Sequence, residues 1–247
     1  MEHLALLLIA ALVVGAAKGG LASAGALAVP FLSIWMDPLV AAGLLLPVYI
    51  VSDVVGVWLY RHEFSKKNVL LLSVTGIVGV GLATLLVPYV TVAAAQLATG
   101  SIGLFYCAQS LRKRLLKKVD AVPFNVRRGV FWGVLTGITS FISHIGAPPF
   151  QSFVLPQRLP KMVYAGTNTI VFSIINLAKL PTYASVGMLA GFDWTLVIWM
   201  AAVASVGAVL GRRLAQVLPT EVYRVIIEAL LFVLSVYLVA TSISRIV

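Results

Sequence analysis

Two stretches of this chain combine helix-breaking residues with groups able to hold an anion. The first is Lys18-Gly19-Gly20-Leu21-Ala22-Ser23-Ala24-Gly25, and the second is Ser143-His144-Ile145-Gly146-Ala147-Pro148-Pro149. Each interrupts an apolar run that is short for a full membrane span. A helix that starts at such a break presents unpaired N–H groups and a partial positive charge, which together favour an anion. Lys18, Ser23 and His144 add side-chain donors. Gly19, Gly20, Gly25 and Gly146 allow the backbone to come close to a ligand, and the competing reading for these glycines is close helix packing.

A second set of polar residues lies inside apolar segments. Ionisable groups at membrane depth are costly, so each is a candidate for function. Lys18 and Lys179 are cations outside any basic loop, with snorkelling to an interface the alternative for Lys18. Asp53 is the acid on a helix that corresponds to the one bearing Lys179. An ionised Asp53 repels an anion, so it fits a proton carrier or an ion-pair partner of Lys179 better than a direct ligand. His144 is the other proton candidate, because imidazole titrates near neutral pH. Gln151, Thr167, Asn168 and Asn176 offer neutral donors to anionic oxygens, against a packing role in which they bond between helices. The expected substrate site is therefore Lys18, Gly19, Gly20, Ser23, Gly25, His144, Gly146, Gln151, Thr167, Asn168, Asn176 and Lys179, with Asp53 and His144 as coupling groups.

The elements that position these residues follow from composition. The chain is 61% hydrophobic and 11% charged, with a mean hydropathy of +1.04. Apolar runs of near-spanning length recur throughout, which predicts an all-α polytopic membrane protein. Strand-length alternation is absent, which argues against an outer-membrane barrel. The apolar start lacks a basic flank and reads as the first helix of the fold, not a removable leader. The net charge of +10 would point to nucleic acid in a soluble protein. Here the basic residues sit in short loops, so topology and lipid headgroups explain them and no nucleic-acid partner is expected. His3, His62 and His144 are scattered and Cys107 is alone, so no metal site, cofactor or internal disulfide is expected.

The segmentation predicts a first repeat over residues 1–128, with a hairpin at 4–35 and helices at 38–60, 69–88 and 91–110. A second repeat follows over 129–247, with a hairpin at 129–156 and helices at 161–186, 194–211 and 220–243. Each half is a broken-helix hairpin followed by three transmembrane helices. Gly43 and Gly166 are 123 positions apart, as are Asp53 and Asn176. The loops at 61–67, 111–128, 158–161 and 212–224 hold every Lys and Arg except Lys18, Lys179 and Arg245. Placing these loops in the cytoplasm obeys the positive-inside rule. It puts both termini outside and gives the two halves opposite orientations, an inverted repeat. Whether the hairpins cross the membrane fully stays open at this stage.

The stretch His144-Ile-Gly-Ala-Pro-Pro-Phe-Gln151, followed by Leu155-Pro-Gln-Arg-Leu-Pro-Lys161, Gly166-Thr-Asn168 and Asn176-Leu-Ala-Lys-Leu-Pro-Thr-Tyr183, resembles the sulfite exporter TauE/SafE family. The first half adds Gly19-Gly20 through Pro30 and Pro47 through Gly56. The resemblance covers nearly the whole chain. It implies a bacterial inner-membrane carrier exporting sulfite, sulfoacetate or a similar organosulfonate.

The expected activity is secondary transport by alternating access, with one half rocking against the other. The expected partners are a small anion and membrane lipids, with oligomeric state open. No phosphate-cradling Gly-rich loop of the ATPase type is present. An anion channel and an importer of a related anion are the alternatives. An enzyme would need a nucleophile–base pair or metal cluster, which the lone Cys and scattered His do not supply.

Overall fold

Capping residues set the helix starts. Asp37 accepts the Leu39 N–H at 2.8 Å, and Pro38 takes the first helical position, where its missing N–H does no harm. Asn125 caps the next half in the same way by accepting the Arg128 N–H at 3.0 Å. Asp193 accepts the Thr195 N–H at 2.8 Å. The computed structural model describes residues 4–18, 22–115, 121–189, 193–217 and 220–246. The described residues form ten α-helices joined by turns and short 3-10 segments, with no strand.

The first hairpin is α1 (Leu4–Lys18), a 3-10 turn (Ala22–Leu27) and the five-residue α2 (Ala28–Leu32). Three long helices follow: α3 (Pro38–Tyr60), α4 (Lys66–Leu86) and α5 (Val92–Leu115). The second hairpin is α6 (Val126–Ser143) and α7 (Ala147–Val154), followed by α8 (Lys161–Ser185), α9 (Trp194–Val217) and α10 (Thr220–Ile246). Pro38–Trp58, Lys66–Tyr89 and Val225–Ser244 are long and apolar enough to cross a membrane. At 15 residues, α1 is about 22 Å long and falls short of a roughly 30 Å hydrocarbon core.

Tight packing interleaves the two ends of the chain. The closest neighbours of α1 are on α9, and those of α4 are on α6. Both seams are stitched by glycines that let backbones touch. A methyl group at Gly207 would run into the Leu12 carbonyl, and one at Gly137 would run into the Gly76 carbonyl. α3 packs on α8 and α5 on α10. The interior between them holds Leu45, Leu46, Leu72, Phe141, Phe150, Ile175 and Tyr183. Outward faces stay apolar, with Leu70, Leu85, Trp199 and Val233 exposed, as a surface against lipid requires.

Candidate functional site

Both breaks meet at the α3–α8 contact. There they border a cavity of about 510 Å³ lined by Lys18, Gly25, Tyr49, Ser140, His144, Gln151, Asn168, Phe172 and Asn176, among others. Its lining extends to Tyr60, the last residue of α3, and to Tyr164 in the first turn of α8. The cavity therefore runs towards the loop face that bears Arg61 and Arg158. At the opposite end of α3 and α8 the Met188 carbonyl lies against Gly43, and the Tyr183 hydroxyl donates to the Phe141 carbonyl at 2.5 Å.

The first break is held by an ion pair. Lys18, in the last turn of α1, donates to one carboxylate oxygen of Asp53 on α3. Asn176 on α8 donates to the other at 2.6 Å. The Lys18 side chain is 28% exposed, and the Asp53 residue is 4% exposed. The Lys18 ammonium also sits 5.7 Å from the Tyr49 ring centre, within cation–π range. The Tyr49 hydroxyl donates to the Gly25 carbonyl at 3.1 Å.

The second break is built differently. His144 caps α6 with φ 54°, ψ 11°, a left-handed conformation uncommon for a side chain other than Gly, Asn or Asp. Its ring stacks on Tyr49, with centres 4.4 Å apart. Nε2 lies 3.0 Å from the Ala42 carbonyl, which only accepts, so Nε2 carries a proton. Nδ1 lies 2.9 Å from Lys179 Nζ, and the Lys179 ammonium also donates to the Ser140 carbonyl at 2.9 Å. The Nζ–Nδ1 contact holds one shared proton, with one of the two nitrogens acting as acceptor. Lys179 is completely buried, and among the described residues the ion pair at the site is Lys18–Asp53.

Cations therefore meet helix C-termini here. Lys18 ends α1, and Lys179 reaches a carbonyl in the last turn of α6, where positive charge is favoured. Amide donors from helix starts contribute less than the sequence predicts. α7 opens Ala147-Pro148-Pro149, and two of those three residues have no N–H. The next amide, on Phe150, returns to the Gly146 carbonyl. In the first half the described chain enters a 3-10 turn and then a helix of only five residues.

Of the residues expected to bind substrate, the structure brings Lys18, Gly25, His144, Gln151, Asn168 and Asn176 to the cavity wall. Lys179 stands behind His144 and does not line the cavity. Its partner is not Asp53, whose carboxylate is taken by Lys18 and Asn176. Gly146 is packed, since a methyl group there would meet Phe172, Ser140 and Thr136. Thr167 points elsewhere: its hydroxyl accepts the Ser65 N–H at 2.9 Å and donates to the Val163 carbonyl at 2.6 Å. Gly19, Gly20 and the side chain of Ser23 lie outside the described residues. Residues the sequence reading did not single out are the aromatic ones: Tyr49, Tyr60, Tyr106, Tyr164 and Phe172. One signal for them was available, since Tyr49 and Phe172 are 123 positions apart, the same offset as Asp53 and Asn176.

The family model described as Sulfite exporter TauE/SafE matches residues 7–238, nearly the whole chain. No curated protein and no solved structure matches it.

Proposed function

Because this chain belongs to the sulfite exporter TauE/SafE family of multi-pass membrane transporters for sulfur anions, we propose that it exports sulfite or a small organosulfonate such as sulfoacetate across the bacterial inner membrane. The observation that carries this reading is the cavity in which Lys18, His144, Gln151, Asn168 and Asn176 converge inside an otherwise apolar bundle. The proposed substrate site comprises those residues with Gly25 on its wall, Gly19, Gly20 and Ser23 at the first break, and Gly146 and Lys179 as the shell that positions them, while Thr167 ties α8 to the Ser65 amide instead. Asp53 and His144 are the proposed proton-coupling groups.

With the basic loops in the cytoplasm and both termini outside, as proposed, the cavity's extension to Tyr60 and Tyr164 supports an inward-facing carrier. Transport proceeds by alternating access. An inside-negative potential favours the exit of whatever net negative charge crosses, by about 2.3 kcal/mol per charge per 100 mV.

The proposed architecture is an inverted repeat of residues 1–128 and 129–247, and its support is a set of paired contacts. Asp53 and Asn176 occupy corresponding positions and bond to each other, as residues beside a two-fold axis would. Gly43 abuts the Met188 carbonyl, and its counterpart Gly166 abuts the Glu63 carbonyl. The Tyr49 hydroxyl lies by Gly25 as the Phe172 ring lies by Gly146. α1 packs on α9 as α6 packs on α4.

The test is sulfite counterflow in proteoliposomes. Lys18→Met and Asn176→Ala each lower saturable flux by about tenfold or more, equivalent to about 1.4 kcal/mol of lost interaction. Wild-type flux of both variants with any sulfur anion tested would remove the cavity as the substrate site. Single-channel currents in place of saturable flux would replace the carrier with a channel.

A further inference from the structure

Lys18 and Asn176 both face the cavity, and both direct a donor at a group that does not line it. Asp53 accepts from Lys18 on one oxygen and from Asn176 on the other. An ionised carboxylate is acceptor-only, like the oxygens of a sulfonate or sulfite. The donors best placed for an incoming anion are thus already occupied by an anion belonging to the protein. A second anion at the same donors would meet the buried Asp53 at close range, where like charges disfavour each other.

We propose that Asp53 is a resident competitor in the substrate site, and that each sulfur oxyanion binds together with one proton, which Asp53 takes up as it releases Lys18. The inference rests on the cavity being the substrate site. In the protonated form the carboxyl keeps an acceptor oxygen for Asn176, and the Lys18 ammonium turns to the cavity, where its side chain is already partly exposed. The charged and titratable groups around Asp53 are Lys18 from α1, Lys179 from α8 and Tyr49 one turn earlier on α3, with His144 stacked beyond the Tyr49 ring. The His144 nitrogens are both engaged, with Ala42 and Lys179, which leaves Asp53 as the group whose partner the substrate displaces. The proton adds to the Asp53 carboxylate on the side where the anion binds and is released on the other side as the carboxylate re-pairs with Lys18, so a monoanion with its proton crosses without net charge and a dianion with its proton carries one negative charge across.

Two measurements test this on the purified full chain. The probes are sulfoacetate, which keeps both charges over the range, and sulfite, with its own buffering subtracted. In weak buffer with a pH indicator, wild-type protein takes up about one proton per anion bound, and its affinity falls about tenfold per pH unit once Asp53 is ionised. Asp53→Asn binds without proton uptake and with a flat pH profile. Binding by wild-type protein with no proton uptake overturns the proposal, and so does proton uptake by Asp53→Asn equal to wild type. The wild-type proton count decides the question alone if the variant does not fold. Failure of both probes to bind wild-type protein at any pH would instead overturn the assignment of the cavity, and this inference with it.

Discussion

The two breaks use the same ingredients to different ends. At the first, a lysine reaches the cavity and is neutralised by a carboxylate. At the second, a lysine lies wholly inside the protein and is held by the Ser140 carbonyl and an imidazole. The first arrangement can be opened by a competing anion, because the ammonium is partly wet and its partner can be exchanged. The second cannot be opened without leaving the buried His144 Nδ1 unpaired. On the proposed reading one cation is an exchangeable ligand group, while the other is a clamp on the left-handed His144 and the tip behind it.

The strongest way to break that comparison is to remove each lysine. Lys179→Met leaves the buried His144 Nδ1 without its donor and takes from the Ser140 carbonyl one of its two, the other being the His144 N–H, and lowers unfolding stability in detergent by about 3 kcal/mol. Lys18→Met lowers stability by less, about 1–2 kcal/mol, because the Asp53 carboxylate keeps its Asn176 donor and the Lys18 side chain is partly exposed. Equal losses in chemical denaturation would erase the distinction. The tyrosine anchors sharpen it at smaller scale. Tyr183→Phe removes the donor to the buried Phe141 carbonyl and costs about 1–2 kcal/mol, while Tyr49→Phe, at the longer 3.1 Å bond to Gly25, costs about half as much. Thermal unfolding of the two variants in parallel checks the order. The smallest effect on binding is at Thr167. Thr167→Val unpairs the Ser65 N–H at about 1 kcal/mol of stability and leaves anion affinity within about twofold, measured by titration.

Much of this site was legible in the sequence because polar groups are expensive in an apolar helix. That cost singled out Lys18, Asn168, Asn176 and Gln151, and all four line the cavity. It also singled out Lys179 and Asp53, but cost alone does not say which cation a buried acid takes. The pairing of Lys18 with Asp53 depends on where the chain turns after α1, which spacing does not encode. Thr167 was misplaced for a local reason. Neighbours on a helix point about 100° apart, so Asn168 faces the cavity and Thr167 faces Ser65. The tyrosines were overlooked because aromatic residues are common in membrane helices and at their interfaces, although Tyr164 stands one turn from Asn168 on the same face of α8. The Pro148-Pro149 pair breaks the helix and at the same time deletes two of the amide donors that a helix start would otherwise offer.

The glycine seams carry a mechanical consequence. Backbone-to-backbone contact at Gly207–Leu12 and at Gly137–Gly76 welds the opening arm of each half to the fourth helical segment of the other. Any large rearrangement that preserves those seams must carry α1 with α9 and α4 with α6. The rigid bodies of the machine are then cross-woven from both ends of the polypeptide, and severing the chain between residues 115 and 126 would separate the sequence into two pieces without separating its moving parts.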